Sequence, residues 1–134
     1  SPPKIFEDGH QQRDFVSVYD IARASRLALE MPAAAGEVFN VGSGEAYSVR
    51  DIAQRVAEAV GKENLAPEIT GKYRVGDIRH CYADISKARR VLGYSPRVSL
   101  EDGLAELAAW LEGQAAVDRV AQASAELSAR GLAI

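Results

Sequence analysis

Two arginines stand beside motifs that could bind an anion. Arg13 and Asp14 precede the β-rich run FVSVY, and Arg74 opens the stretch RVGD, which ends in Asp77. Each arginine lies where a predicted strand meets a loop, near glycines that let the backbone approach a ligand. The planar guanidinium offers two parallel N–H donors to phosphate oxygens. These residue types in this placement therefore indicate a local anion site.

Ordinary structural roles remain open for the same residues. Arg13 could be a partner for Asp14 or a surface charge, and Arg74 could be a solvated charge in a basic loop. Asp77 could stabilise the turn in VGD, because aspartate side chains hydrogen-bond their own backbone in turns. Asp14 is expected to bind a neighbouring backbone group or to orient an arginine.

Several kinds of catalytic and metal site are missing from the sequence. It contains no G-x-G-x-x-G between a strand and a helix, no G-x-S-x-G and no Walker loop. A Tyr-x-x-x-Lys motif is also absent, since Tyr82 and Lys87 have the wrong spacing. The two histidines, His10 and His80, are scattered and lack metal-ligand spacing. We therefore predict no catalytic residue, no cofactor-binding residue and no metal ligand in this chain.

The composition limits the class of protein. The 134 residues are 47% hydrophobic and 26% charged, which is typical of a globular domain with a core. A net charge of −3 argues against nucleic acid or an anionic membrane as a partner. No apolar run approaches the roughly 18 residues of a membrane span. The single cysteine, Cys81, is expected to be a small buried residue, and it predicts a reducing cytoplasm without disulfides.

Short strands alternating with helices predict a mixed α/β domain in which helices predominate. Strands are expected at residues 4–6, 13–18 and 38–41, with a further short strand in the arginine-rich connection that follows residue 66. So few strands cannot assemble a full doubly wound sheet. Tyr19 and Trp110 are expected to be core or interface aromatics. The opening SPPKIF is typical of sequence from the middle of a longer protein.

Capping residues place the helices. Asp20 is expected to open the first helix and Pro32 to stop it. Ser48 and Ser99 each have an aspartate three residues later, which predicts an N-cap at both positions. Asp84 is expected to cap a helix that Gly93 ends. Gly113 could divide the long last helix into two, over an apolar stripe that runs almost to the end of the chain.

Three separated stretches occur in one known family in this order and at this spacing. They read EDGHQQRDFVSVYDIARA, GEVFNVGSGEAYSVRDIA and GKYRVGDIRHCYADISKARRVLGYSPRVSLEDGLAELAAWL. Over residues 2–112 the chain resembles the C-terminal, substrate-binding part of extended short-chain dehydrogenase/reductases that act on nucleotide sugars. It is most similar to the NAD-dependent epimerases and dehydratases among them. The resemblance implies a nucleotide-sugar substrate-binding domain at residues 1–112 and a C-terminal helical tail at residues 113–134.

The resemblance also implies a division of labour within the parent enzyme. In the family an N-terminal Rossmann half holds NAD and supplies the catalytic Ser/Thr, Tyr and Lys, and that half is missing here. The expected fold is therefore a small, helix-rich α/β lobe. In the family the arginine of the RDF motif, here Arg13, contacts the diphosphate, and the arginine of R-x-G-D, here Arg74, contacts it from the other side. The aspartate of that motif, Asp77, accepts hydrogen bonds at the nucleotide end.

The function implied is the substrate-binding part of an NAD-dependent nucleoside-diphosphate-sugar epimerase, with a 4-epimerase favoured, and without catalysis by the chain alone. UDP- and dTDP-linked sugars remain equally open. One alternative is the corresponding lobe of a 4,6-dehydratase or decarboxylase. Another is a non-catalytic module that self-associates through the apolar stripe of its last helix. The expected partners are a nucleotide sugar and the Rossmann half.

Overall fold

Helices dominate the structure, a computed structural model that describes residues 2–115 and 117–133. The described residues form five α-helices, namely α1 (Val18–Glu30), α2 (Val49–Ala59), α3 (Ser86–Leu92), α4 (Leu100–Glu112) and α5 (Val120–Ala129). They also form short strands, namely β1 (Lys4–Ile5), β2 (Gln12–Arg13), β3 (Tyr47–Ser48), β4 (Glu68–Ile69) and β5 (His80–Cys81). This helix-rich α/β arrangement with few short strands confirms the predicted fold class.

The strands pair in two small sheets. β1 and β4 run parallel, with Lys4 opposite Glu68 and Ile5 opposite Ile69. β2 is the central strand of the other sheet, antiparallel to β3 and parallel to β5. Arg13 lies on this central strand, so its backbone is held from both sides.

The core lies between α1, α3 and a short 3₁₀ turn at Pro32–Ala34. Its buried members are small or aliphatic side chains and one tyrosine: Ala24, Ala34, Ile85, Ala88, Leu92 and Tyr94. The Tyr94 hydroxyl donates a hydrogen bond of 2.8 Å to the carbonyl of Gly42. A buried tyrosine must satisfy its hydroxyl in this way, since the cost of leaving it unpaired is large.

The predicted caps at Ser48, Ser99 and Gly93 are confirmed. The Ser48 hydroxyl accepts from the backbone N–H of Asp51 at 3.0 Å, and the Asp51 carboxylate accepts from the N–H of Ser48 at 3.2 Å. Ser99 accepts from the N–H of Asp102 at 3.0 Å at the start of α4. Gly93 ends α3 with a φ of 62°, a left-handed conformation that favours glycine.

Two helices begin at different residues from those predicted. α1 starts at Val18, not at Asp20, because Ser17 is the N-cap and accepts from the N–H of Tyr19 at 3.3 Å. α3 starts at Ser86, with Ile85 at the cap position. The Asp84 side chain still accepts from the N–H of Ser86 at 2.9 Å. At both helix starts a side-chain oxygen accepts from the backbone N–H two residues later, and the observed start lies within one turn of the predicted one.

Two of the predicted strands differ from the observed structure by several residues. The predicted strand at residues 13–18 is reduced to its first residue within β2, because helix α1 already begins at Val18. The predicted strand at residues 38–41 has no ladder partner among the described residues, and Val38 is 80% exposed. Alternating apolar residues favour a strand, but a strand forms only where another segment offers its backbone groups.

The end of the chain consists of two helices, since Gly113 ends α4 and α5 follows. Tyr19 and Trp110 do not belong to the core, because both are more than half exposed, and the interface role that was the other expectation stays a prediction. Cys81 is exposed on β5 and is not the buried residue that was expected. Within the part of the chain that the structure describes, no helix is long and apolar enough to cross a membrane.

Candidate functional site

Arg74 and Asp77 form a compact turn. The backbone N–H of Asp77 donates to the carbonyl of Arg74 at 3.1 Å, and Gly76 supplies the φ of 89° that the turn needs. The Asp77 Oδ2 accepts from Nε and Nη2 of Arg74 at 2.9 and 2.8 Å. The Arg74 guanidinium also lies 5.1 Å from the centre of the Phe6 ring. Its side chain remains 48% exposed, so an oriented positive charge faces solvent.

Arg13 is bound to the backbone that follows this turn. Its Nη1 donates to the carbonyls of Gln12 at 2.8 Å and Arg79 at 2.9 Å, and its Nη2 donates to the carbonyl of Ile78. Ile78 and Arg79 directly follow Asp77 in the chain. The structure thus connects the three residues predicted for substrate binding through one loop, residues 74–79, which we call the arginine loop.

A second ion cluster fastens the arginine loop to the turn after β1. Arg79 donates to Glu7 Oε2 at 2.5 Å and to Asp8 Oδ2 at 2.7 Å. The hydrogen bond from Arg79, helped by the backbone N–H of His10, lowers the pKa of Asp8 to about 2. Glu7 also donates its own N–H to the carbonyl of Lys72 at 2.6 Å. The sequence analysis missed this cluster, because the acidic pair and the arginine are more than 70 residues apart.

The Asp14 carboxylate binds the turn at residues 42–44 and the backbone of Ala83. It accepts from the backbone N–H groups of Ser43 at 2.8 Å, Gly44 at 3.3 Å and Ala83 at 3.3 Å. The expectation that Asp14 bonds backbone is confirmed, although its partners are distant in sequence and not neighbouring. Because these amides already point at Asp14, the turn at residues 42–44 does not fit the pyrophosphate of a dinucleotide such as NAD.

Asp20 is the buried charge that the sequence analysis missed. It is 2% exposed and accepts from the N–H of Arg97 at 2.9 Å and of Val98 at 3.0 Å. The Nη2 of Arg23 also donates to Oδ1 of Asp20 at 3.0 Å. An aspartate in the first turn of a helix usually complements the helix dipole, so only the tertiary fold reveals that it fastens the chain before α4.

An apolar groove of about 430 Å³ runs between residues 15–19 and α4. Exposed apolar side chains line it, among them Val18, Tyr19, Leu107 and Trp110. The Tyr19 hydroxyl crosses the groove and donates to Glu106 Oε1 at 3.1 Å. The groove lacks the clustered cations of the arginine loop, and its chemistry is that of a packing surface.

The arginine loop can bind and orient an anion. Guanidinium groups stay protonated near neutral pH, so Arg13 and Arg74 supply fixed positive charge and N–H donors and do not transfer protons. Among residues 2–115 and 117–133, no group of three or more His, Cys, Asp or Glu side chains could hold a metal ion. The fixed charge and the N–H donors are the groups that can hold an anion such as a phosphate.

The chain is similar to proteins that are named as nucleotide-sugar enzymes. A family model described as GDP-mannose 4,6 dehydratase matches residues 2–107. The dTDP-L-rhamnose 4-epimerase of Burkholderia thailandensis is 39% identical over 107 residues, which cover 80% of this chain and 29% of that protein. The UDP-glucose 4-epimerase of Mycolicibacterium smegmatis is 42% identical over 103 residues, which cover 77% of this chain and 32% of that protein.

Solved structures show the same fold. The UDP-glucose 4-epimerase of Thermotoga maritima, solved with UDP-glucose, has a TM-score of 0.74 at 36% identity and covers 83% of this chain and 35% of its own. The UDP-glucuronic acid 4-epimerase of Bacillus cereus in complex with NAD has a TM-score of 0.64 at 39% identity, covering 78% and 32%. The chain spans about a third of the length of these relatives. It belongs to the GDP-mannose 4,6 dehydratase family, within the nucleotide-sugar epimerases and dehydratases of the extended short-chain dehydrogenase/reductase type.

Proposed function

We propose that the chain is the substrate-binding part of an NAD-dependent nucleoside-diphosphate-sugar 4-epimerase and is not catalytic by itself. The observation that carries this proposal is the arginine loop, which presents the half-exposed guanidinium of Arg74 and is bound to Arg13. The names of two similar relatives support a 4-epimerase. In this proposal residues 1–112 bind the substrate, and residues 113–134 form the tail.

Arg74 is proposed to bind the diphosphate. The two negative charges of a diphosphate need compensation in a cleft, because leaving a charge unpaired there costs several kcal/mol or more. Asp77 contacts the Nε and Nη2 edge of the guanidinium, and Nη1 can then donate to a phosphate oxygen. The other carboxylate oxygen of Asp77 can accept from a hydroxyl at the nucleotide end of the substrate.

Arg13 is proposed to contact the diphosphate from the other side. Three of its N–H groups donate to the carbonyls of Gln12, Ile78 and Arg79. A guanidinium carries about five N–H donors, so Nε and one hydrogen of Nη2 remain for phosphate oxygens. The carbonyl contacts hold the guanidinium in one orientation, which favours binding of a ligand with fixed geometry.

The cofactor and the proton-transferring residues are proposed to come from an N-terminal Rossmann half. The turn at residues 42–44 does not fit NAD, since the amides of Ser43 and Gly44 donate to Asp14. One structural relative carries NAD in a chain about three times as long as the matched part. We therefore infer that this chain binds and orients the sugar nucleotide, while chemistry on the sugar depends on the remainder of the protein. The lobe of a 4,6-dehydratase remains the alternative that the family model favours.

Replacing Arg13 or Arg74 with alanine is expected to weaken binding of UDP or dTDP by about 1.5–3 kcal/mol each, because each change removes charged hydrogen bonds to phosphate. The measurement is an amide-resolved NMR titration of the full chain. Arg26→Ala is the matched control, since Arg26 is an exposed arginine on α1 that pairs with Glu30 at 3.7 Å. Unchanged affinity in both Arg13→Ala and Arg74→Ala would contradict the proposal. The nucleotide that the wild-type chain binds more tightly, UDP or dTDP, indicates which nucleotide the substrate carries.

A second candidate function is self-association through the apolar groove between residues 15–19 and α4. The exposed side chains of Val18, Leu107 and Trp110 favour it. Size-exclusion chromatography over a concentration series separates the two proposals. A chain that elutes as a monomer at every concentration and still binds UDP excludes self-association as its function, and a concentration-dependent dimer that Trp110→Ser abolishes supports it.

A further inference from the structure

The end of the chain turns back toward the arginine loop. α5 ends at Ala129 with Arg130 as its C-cap, and Gly131 follows in the left-handed conformation with a φ of 65°. The N–H of Gly131 donates to the carbonyl of Ser128 at 3.0 Å, and the N–H of Leu132 donates to the carbonyl of Leu127 at 2.9 Å. These two bonds form a Schellman motif, which reverses the direction of the chain after a helix.

After this reversal the chain pairs with the arginine loop. The carbonyl of Leu132 accepts a hydrogen bond of 3.0 Å from the N–H of Val75, and Ala133 forms an antiparallel bridge with Arg74. The pairing uses backbone groups only. It therefore restrains the main chain of Arg74 while its guanidinium stays available to a ligand.

α5 and the aromatic ring that Arg74 contacts line the same groove. Leu127 and Ser128 line a groove of about 230 Å³ together with Phe6 and Lys72. The guanidinium of Arg74 thus lies over the Phe6 ring, which borders this groove. The backbone of Arg74 is paired with Ala133, which follows α5. The family model ends at residue 107, so α5 and the residues after it lie outside the matched region.

We propose that residues 131–133 form a strap that positions Arg74 for binding the phosphate groups of a nucleotide. This proposal rests on the proposed function and adds a segment that determines the affinity of its site. A loop that must be ordered on binding weakens the affinity, whereas a loop ordered beforehand does not. The strap supplies that order through the hydrogen bond between Val75 and Leu132 and the bridge between Arg74 and Ala133.

The test uses a matched pair of substitutions at Gly131 in the full chain. A Cβ added at this position has no heavy atom within 4 Å, so the first atom of a side chain meets no obstacle and the effect of substitution comes mainly from the backbone conformation. Gly131→Val places a β-branched residue at a positive φ and disfavours the reversal, whereas Gly131→Asn is compatible with it. We expect Gly131→Val to abolish hydrogen-exchange protection of the Val75 amide and to weaken UDP binding about three- to tenfold. Gly131→Asn is expected to retain both.

A double-mutant cycle separates positioning from general destabilisation. In an Arg74→Ala background the strap has no guanidinium to position, so Gly131→Val should cause no further loss of UDP affinity. If Gly131→Val loses the protection of the Val75 amide but keeps its UDP affinity, the strap is overturned. The strap is also overturned if Gly131→Val lowers UDP affinity equally in the wild-type and the Arg74→Ala backgrounds. A wild-type chain that does not bind UDP at millimolar concentration would overturn the proposed function and the strap together.

The exchange rate in the wild-type chain gives an independent readout if Gly131→Val fails to fold. A Val75 amide that exchanges at least tenfold more slowly than an unstructured amide supports the strap. Exchange at the unstructured rate overturns it, because the amide would then lack the partner that the strap provides.

Discussion

Replacing Asp20 with alanine is expected to lower the free energy of unfolding by about 3–4 kcal/mol. The carboxylate is 2% exposed and accepts the backbone N–H groups of Arg97 and Val98, so its removal leaves two donors without their partner. Arg23 also loses its ion pair. Urea denaturation of the wild-type and variant chains measures the difference. A loss below about 1 kcal/mol would mean that water replaces the carboxylate easily.

Asp20→Asn is the matched variant, because an amide oxygen at the position of Oδ2 can still accept both backbone hydrogen bonds while the charge and the acceptor for Arg23 are gone. The free energy of unfolding of Asp20→Asn should lie between those of the wild-type and the Asp20→Ala chains. Glu63→Ala, at an exposed position, should leave the free energy of unfolding within about 0.5 kcal/mol of the wild type. A loss for Asp20→Asn equal to that of Asp20→Ala would assign the whole effect to charge.

The stabilisation by Asp20 is expected to depend on pH. Burial by itself would raise the pKa of Asp20, but the N–H groups of Arg97 and Val98 and the Arg23 guanidinium together lower the pKa below its ordinary value. A carboxylate with a lowered pKa stabilises the fold fully above the pKa of the unfolded chain, and the stabilisation is lost as the pH falls through the folded pKa. The difference between wild type and Asp20→Ala should therefore be constant from pH 7 to pH 5 and shrink below about pH 4.

Replacing Gly42 with alanine is expected to destabilise the fold by about 2–4 kcal/mol. A Cβ at this position would overlap with Oδ2 of Asp14 and lie 2.9 Å from the Cβ of Ala83. The Asp14 carboxylate cannot simply turn aside, because it holds the N–H groups of Ser43 and Gly44 as well as that of Ala83. The carbonyl of Gly42 also accepts from the buried Tyr94 hydroxyl, so movement of the backbone would break a further bond.

Gly103→Ala provides the contrasting control for Gly42→Ala. Gly103 lies inside α4, and a Cβ there would be 3.9 Å from the nearest atom, a side-chain carbon of Val98. The same chemical change should stabilise the chain by about 0.5–1 kcal/mol, because alanine loses less backbone entropy than glycine in a helix. Thermal or urea unfolding should thus give opposite signs at the two positions. A neutral Gly42→Ala would show that the loop around Asp14 can rearrange without cost.

The helix caps were predictable because the residues that form them are close in sequence. Ser48 and Asp51 are three residues apart, and each side chain reaches the backbone N–H of the other. The predicted start of α1 at Asp20 was wrong, because the Asp20 side chain binds distant backbone and does not cap the helix. Ser17 caps α1 three residues earlier, and the carboxylate of Asp20 accepts from backbone N–H groups more than 70 residues away.

Strands were harder to predict, since a strand needs a partner that its own sequence does not specify. Residues 38–41 have the apolar alternation of a strand but no pairing partner among the described residues. Residues 12 and 13 form a strand because Tyr47 and Ser48 lie on one side and His80 and Cys81 on the other. The pattern of side chains indicates where a strand is possible, and the presence of a neighbour decides whether it forms.

The parts of the candidate site differ in the same way. The turn between Arg74 and Asp77 follows from residues three apart, and the sequence identified both. The contacts of Arg13 were not predictable, because its guanidinium donates to carbonyls that lie 65 and 66 residues away. The reversal at Gly131 had a visible signal, a glycine directly after an alanine-rich helix, but its position against the arginine loop had none.

The sequence alone predicts the mixed α/β class and the helix caps at Ser48, Ser99 and Gly93, and it contains the motifs that carry the family resemblance. Short-range hydrogen bonds and apolar periodicity are properties of neighbouring residues, so they can be read from the chain. The folded structure was needed to show that Asp14 and Asp20 hold distant backbone, and that Arg79 and residues 131–133 fasten the arginine loop. These contacts depend on which segments meet after folding, because a charged side chain has many alternative partners until packing brings one of them within reach.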